Sequence, residues 1–464
     1  MLNFWDYSNW GTINLFAVLL LSLLIATVLK NFIGFLNKSL IPTSVLGGFI
    51  LLITAGIYKV ATGDFFFDTA FFGGHGSADL EIITYHTLAL GFTASALKTS
   101  KNKMNKKRTL EIFDSGVTTV ATYLIQAVFG MAITIVAAKV MIGFFPAAGI
   151  LLPFGYGQGS GQAMNFGGIF ETDFGFVGGK SFGLTIAALG FLSASIGGVI
   201  HLNILKRCGK LVIRGEGNYE RLRSEHIEDE NEVPMQGSMD KMTIQVGFIC
   251  GAYLLAYFFM FILGNLVPGF KATIYGFNFI LGVLAAALVK SVVNLLHNRN
   301  IIKRRYINNF LLTRCSNFFF DIMVVAGIAA IRLSVLEKYW GIMLILGVVG
   351  AFITYFYNRY VAKKLFPHYL EEQFLAMYGM LTGTASTGVI LLREIDRDFE
   401  TPAADNLVYL TLPAIVFGFP MMLLATFAPK EPFITLLILI AFFVGMNVIL
   451  FRRQIFRRGK RYKA

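Results

Sequence analysis

Long apolar runs alternate with short polar loops along nearly the whole chain. Runs of spanning length occur at 12–29, 41–60, 82–97, 115–141, 179–205, 243–265, 274–295, 308–331, 340–361, 403–427 and 432–451. A bilayer core takes about 20 helical residues, so the pattern predicts about eleven transmembrane helices. Two further segments, 146–170 and 374–392, are apolar but interrupted by glycine and hydroxyl residues. They stand apart as broken hairpins.

The loop charges set the expected orientation. Lys and Arg collect in cytoplasmic loops. Here they follow the first run at Lys30 and recur at 98–108, from Lys206 onward, at 299–305, at Lys363 and Lys364, and from Arg452 to the end. The loops between are acidic or neutral, with Asp64, Asp68, Asp79 and Glu81 in one and Glu171 and Asp173 in another. This alternation holds at every step only if each broken segment enters and leaves on one side, the first opening outside and the second inside. The N-terminus is then external, and the central linker and C-terminus are cytoplasmic. Residues 1–11 hold Asp6 and no basic residue, whereas a cleaved signal peptide needs a basic n-region.

Composition agrees with a multi-pass membrane protein. Of the 464 residues 56% are hydrophobic and 14% charged, against about 25% charged in soluble domains. Mean hydropathy is +0.66. The net charge of +13 falls in short runs between apolar stretches, which is how orientation signals are distributed; no nucleic-acid partner is implied. Cys208, Cys250 and Cys315 form neither a disulfide framework nor a metal motif.

A repeat organises the chain. Each half has three spans, a polar loop, a fourth span, a broken hairpin and a fifth span. The hairpins read Gly155-Tyr156-Gly157-Gln158-Gly159-Ser160-Gly161-Gln162-Ala163-Met164-Asn165 and Gly379-Met380-Leu381-Thr382-Gly383-Thr384-Ala385-Ser386-Thr387-Gly388. Phe170-Glu171-Thr172 follows the first and Phe399-Glu400-Thr401 the second. Five spans per half is odd, so the second half enters the membrane inverted. The expected divisions are a first repeat at 1–205, a cytoplasmic linker at 206–241, an inverted repeat at 242–427, and an extra C-terminal helix with a basic tail at 428–464. The linker's mixed charges, from Arg214 through Glu220, Arg221, Arg223, Glu225, Glu228, Asp229 and Glu230 to Glu232, read as a solvated surface.

Inverted repeats with matching broken segments point to a secondary transporter's binding site. Unpaired backbone groups in hydrocarbon cost several kcal/mol each, so broken helix persists only where it is packed in protein or lines a wet cavity. Freed carbonyls can ligate a small cation, and half-helix N-termini can hold a carboxylate. Glycines in membrane helices also serve plain close packing, and Gly47-Gly48 and Gly197-Gly198 fit that reading.

At these residues the sequence resembles the sodium/glutamate symporter family over most of its length, the last helix excepted. The points of resemblance are Ile41-Pro42 with Gly47-Gly48, Leu90-Gly91-Phe92 with Ala94, and the Gly157–Gly161 hairpin. Glu232-Val233-Pro234 and Gly383-Thr384-Ala385-Ser386-Thr387 complete them. The resemblance implies a sodium-coupled importer of dicarboxylic amino acids in the inner membrane. It further implies two inverted five-helix repeats with re-entrant loops, a homodimer, and elevator-type movement. Departures are Gln158 and Met380, where the family pattern has His, a thinner glycine content in the second hairpin, and the extra helix.

Substrate contact is therefore expected from Gly157, Gln158, Gly159, Ser160, Gly161, Gln162 and Asn165 on one hairpin. On the other it is expected from Gly383, Thr384, Ala385, Ser386 and Thr387, with Arg393 as a bidentate carboxylate partner. Sodium, a hard cation, would take oxygens from Ser160, Thr382, Thr384 and Ser386, with Asp321 inside the span 308–331 as the charged ligand. The alternatives are hydroxyls back-bonded to their own helices, Asp321 paired with Arg314, and Arg393 paired with Glu394 or Asp396. His86 reads first as a hydrogen-bonded packing residue, with a proton-sensitive group as the alternative. No Walker motif is present, and the six histidines show no metal or catalytic spacing, so no cofactor or enzymatic activity is expected. Related carboxylate symport and, from another class, a channel or a membrane-embedded enzyme are the alternative functions.

Overall fold

The computed structural model describes residues 5–38, 40–98, 106–214, 239–268, 271–397 and 400–457. It is all-helical, with 84% helix and no strand among the described residues. The long elements are α1 (Tyr7–Phe32), α2 (Thr43–Thr62), α3 (Gly76–Leu97), α4 (Lys106–Val140), α5 (Leu151–Gln158), α6 (Ser160–Phe174) and α7 (Gly179–Arg207). After the linker come α8 (Lys241–Leu266), α9 (Asn278–Asn298), α10 (Asn309–Ala329) and α11 (Leu333–Leu365). The chain ends with α12 (Leu370–Thr382), α13 (Ala385–Arg393), α14 (Ala403–Tyr409), α15 (Thr411–Phe427) and α16 (Pro432–Leu450). Nine helices among the described residues are long and apolar enough to cross a bilayer, the build of a multi-pass membrane protein.

Two of the eleven expected spans differ from that count for local reasons. The run at 82–97 forms the 22-residue α3, which opens with Asp79 and Glu81. The run at 403–427 is two helices, α14 and α15, divided at Leu410. Pro413 has no N–H to offer the Tyr409 carbonyl, so the helical ladder is interrupted there. Segment 215–238, with most of the linker charges and Glu232-Val233-Pro234, lies outside the described residues, as do Asp398 and Phe399.

Helix ends carry their usual signals. Asp240 caps α8, its carboxylate accepting from the N–H groups of Met242 at 2.8 Å and Thr243 at 3.3 Å. Lys206 and Arg207 occupy the last turn of α7, and Lys363 and Lys364 that of α11, where cations oppose the negative end of the helix dipole.

The chain clusters into two compact units, each drawing on both sequence halves. The first holds the start of α1 with α3, α8, α9 and α10 up to Gly327. Its core joins Ala94 and Leu97 to Ile249, Ala252, Ala286, Leu312 and Cys315. Here α9 approaches α3 through Gly282, where a Cβ would sit 2.5 Å from Thr93 Oγ1. His86 Nδ1 pairs with Tyr253 Oη at 2.8 Å, in keeping with a packing residue.

The second unit holds the rest of α1 with α2, α4–α7 and α11–α16. Its spine is α7. Small residues recur along one face of that helix at Gly179, Gly183, Ala187, Gly190, Ala194 and Gly197, close to the period of a single helical stripe. Backbone of the neighbouring elements presses onto that face, so a Cβ at Gly179 would meet the Gly167 carbonyl and one at Gly183 the Ala163 carbonyl. The C-terminal helix α16 packs on α4 and is pinned by Arg452 Nη1, which donates to Asp114 Oδ1 at 2.8 Å.

Candidate functional site

Both broken segments lie in the second unit, and each is a helix, a break and a second helix packed back on the first. In the first, α5 gives way to α6 at Gly159, with φ 85° and ψ −178°, a conformation open in practice only to glycine. The arms are tied by stacked rings of Phe154 and Phe166, with centroids 3.9 Å apart. In the second, α12 gives way to α13 at Gly383 and Thr384. Its arms meet glycine to glycine, since a Cβ on Gly379 would lie 2.8 Å from the Gly388 Cα.

Helix α7 brings the two breaks together. A Cβ on Gly190 would strike the Thr382 carbonyl oxygen and lie 3.3 Å from the Tyr156 Cα. The last turns of α5 and α12 therefore converge over one glycine. Helix α4 also reaches both. Tyr123 Oη donates to the Gly157 carbonyl at 3.0 Å, and Gln126 Nε2 donates to the Leu381 carbonyl at 2.9 Å and to Thr354 Oγ1 at 2.8 Å.

The polar side chains around these breaks are buried. Ser160, Gln162, Thr382 and Thr387 have no exposed surface, and Asn165 is buried as well. Neither Oε1 nor Nε2 of Gln162 has a hydrogen-bond partner among the described residues, and Gln126 Oε1 also has none. An unmet buried amide costs about 1–3 kcal/mol, so these atoms call for a partner beyond the described side chains, as do Thr93 Oγ1, Asn278 Oδ1, Asn358 Oδ1 and Asn406 Oδ1 elsewhere. Thr382 Oγ1 donates to its own helix at the Tyr378 carbonyl, 2.6 Å away, and Thr384 and Thr387 hydroxyls lie 3.4 Å apart. Their oxygens keep lone pairs free to accept a cation. Ser160 and Asn165 are engaged in contacts of their own.

The remaining expected residues distribute as follows. Gly157, Gly159, Gly161 and Gly383 are buried, Gln158 and Thr384 half-buried, and Ala385 and Arg393 exposed. The Ser386 side chain lies outside the description. Asp321 belongs to α10 in the first unit and is exposed, while both hairpins belong to the second unit. Arg314 lies 5.0 Å from the centroid of the Phe310 ring. Tyr123, Gln126 and Thr354 were not singled out by the sequence reading. The available signal was their polarity inside runs otherwise read as membrane spans.

The open end of the second hairpin is strongly charged. Glu371 takes a hydrogen bond from Arg359 Nη2 at 2.7 Å, and His201 Nε2 stands 3.0 Å from its other oxygen. Burial pushes the Glu371 carboxyl up, but hydrogen bonds from His201 and Arg359 outweigh it and hold the group below the usual carboxylate range. A cleft of about 190 Å³ opens here, not between the breaks, lined by residues that include Lys210, Arg214, His368, Glu371 and Glu372. No protein-family model matches the chain, and no curated protein matches it.

Proposed function

We propose that the protein is a secondary active transporter of the cell membrane, coupling sodium entry to uptake of glutamate or a related small organic anion. The observation that carries this reading is the convergence of two Gly-broken helices over Gly190, together with the orphaned amide atoms of Gln162, in the first turn of α6, and of Gln126, which reaches the Leu381 carbonyl. At such a point, the N-termini of α6 and α13 favour an anion and the C-termini of α5 and α12 favour a cation. In this reading the substrate lies between Gln158–Gln162 and Thr384–Thr387. Sodium takes amide, hydroxyl and freed carbonyl oxygens beside it, a donor set that suits a hard cation.

The two segments are read as re-entrant hairpins of an inverted repeat, opening on opposite faces. Reciprocal packing supports this. Gly282 of α9 abuts Thr93 of α3, while Gly48 of α2 abuts Ile328 of α10, with a would-be Cβ 2.7 Å from the Ile328 Cβ. Gln126 and Thr354, which hydrogen-bond each other, each lie on the fourth span of their half. Because both hairpins fall in one compact unit, that unit is taken as the moving body of an elevator mechanism, in a homodimer with an external N-terminus.

Uptake of labelled glutamate and of hydroxycarboxylates into proteoliposomes tests the function. Accumulation that collapses when the sodium gradient is removed is the expected result. Uptake that needs ATP and no cation gradient, or currents far above transporter turnover, would replace this reading with a pump or a channel.

A further inference from the structure

Arg214 touches both feet of the second hairpin. Its Nε donates to Glu372 Oε1 at 2.7 Å, in the first turn of α12. Its backbone N–H donates to the Ile395 carbonyl at 2.7 Å, and its own carbonyl accepts from Arg397 N–H at 3.1 Å. Residues 395 and 397 lie just past the end of α13. One residue thus closes the open end of the hairpin, through its side chain on the entering arm and its backbone on the leaving arm.

The surroundings make this more than a surface ion pair. The Glu372 side chain is only 7% exposed while that of Arg214 is 40% exposed, so the carboxylate has little water to turn to if the guanidinium leaves. Glu371 next to it is held separately by α7 and α11 through His201 and Arg359. The exit foot is itself firm. Asp396 is fully buried and accepts from the backbone N–H groups of Glu400 at 2.8 Å and Thr401 at 2.9 Å, and from the Thr401 hydroxyl. At the other end the tip emerges, with Thr384 half-buried and Ala385 exposed, whereas the first hairpin stays buried from Ser160 through Asn165.

We propose that Arg214 is a positioning residue for the second hairpin, fixing the register of α12 against α13 and so the place of the Gly383–Thr384 break over α7. The consequence for uptake rests on the transporter reading, but the pinning itself does not. Hydrogen–deuterium exchange of the purified full-length protein reads it without any transport assay. Arg214→Ala and Glu372→Gln should each raise exchange across 370–397 by about tenfold and leave 151–174 unchanged, because only one hairpin loses its pin. Arg214→Lys, and the exchange of charges in Arg214→Glu with Glu372→Arg, should restore most of the protection. In proteoliposomes Arg214→Ala should raise the half-saturating substrate concentration several-fold with the maximal rate held within about twofold, as expected when binding geometry and not the moving step is disturbed. Unchanged exchange at 370–397 in both single variants, or an equal rise at 151–174, would overturn the assignment. If Arg214→Ala cannot be purified, Glu372→Gln decides by the same readout. Altered exchange in a protein that takes up no anion would uphold the pin and reject the transporter reading.

Discussion

Gly190→Ala puts one methyl group where the two broken helices meet. The new carbon would strike the Thr382 carbonyl oxygen and come within 3.1 Å of Tyr156 Cδ2 and 3.3 Å of the Tyr156 Cα. Two of those three obstacles are backbone, so no rotamer change relieves them, and α5 or α12 must shift on α7. Overpacking a well-packed site costs about 1–3 kcal/mol. At 1.4 kcal/mol per factor of ten, that corresponds to a change of about 5- to 150-fold in the occupancy of the undistorted arrangement. Because the strain falls on the last turns of both α5 and α12, it should appear in transport before it appears in membrane insertion. Uptake in proteoliposomes is expected to drop about tenfold or more, with a lowered melting temperature and normal amounts of protein in the membrane. Gly445→Ala serves as the control, since nothing lies within 4 Å of a Cβ there, and it should leave uptake unchanged and not lower the melting temperature. Wild-type uptake and melting temperature in Gly190→Ala would refute the packing argument and the site built on it.

Gly159→Ala should lower stability by about 1–3 kcal/mol, because φ 85° with ψ −178° lies in a region that residues with a Cβ avoid; thermal melts of the detergent-purified protein check it. Arg452→Ala should loosen the C-terminal helix, leaving the buried Asp114 carboxylate unpaired. We expect a loss of about 2 kcal/mol, below the 3–5 kcal/mol of a fully buried pair because Arg452 is partly exposed, read as a lower melting temperature and faster proteolysis after α15. The Glu371 carboxyl is held below its usual range in the folded protein. Its contribution to stability is therefore complete above the unfolded value of about 4.3 and is lost as pH falls through the lowered folded value. Melting temperature should accordingly hold from pH 8 to 5 and fall in stronger acid, and Glu371→Gln should flatten that fall.

The features settled by near neighbours in the chain were legible without the structure. Apolar runs of spanning length became helices because each such helix satisfies its own backbone. The breaks fell at Gly159 and Gly383, inside the two Gly-rich stretches set apart from the spans. Where a local signal was passed over, the outcome was also local, as with Pro413 dividing the run 403–427 into α14 and α15.

Tertiary structure alone decided which surfaces meet. The stripe from Gly179 to Gly197 is visible in the sequence, but nothing there says that it carries the arms of the first hairpin and then the end of the second. Gln126 looks like an isolated polar residue until α4 crosses α11 and α12, when its amide bridges Thr354 and the Leu381 carbonyl. Arg214 read as one more linker charge because its partners, Glu372 and residues 395–397, lie more than 150 positions away. Asp321 drew attention as an intramembrane carboxylate, and only the fold assigns its helix to the first unit and both hairpins to the second. Helix and break depend on backbone geometry over a few residues. Which faces pair depends on the fit of surfaces contributed by distant segments, which no single stretch of chain encodes.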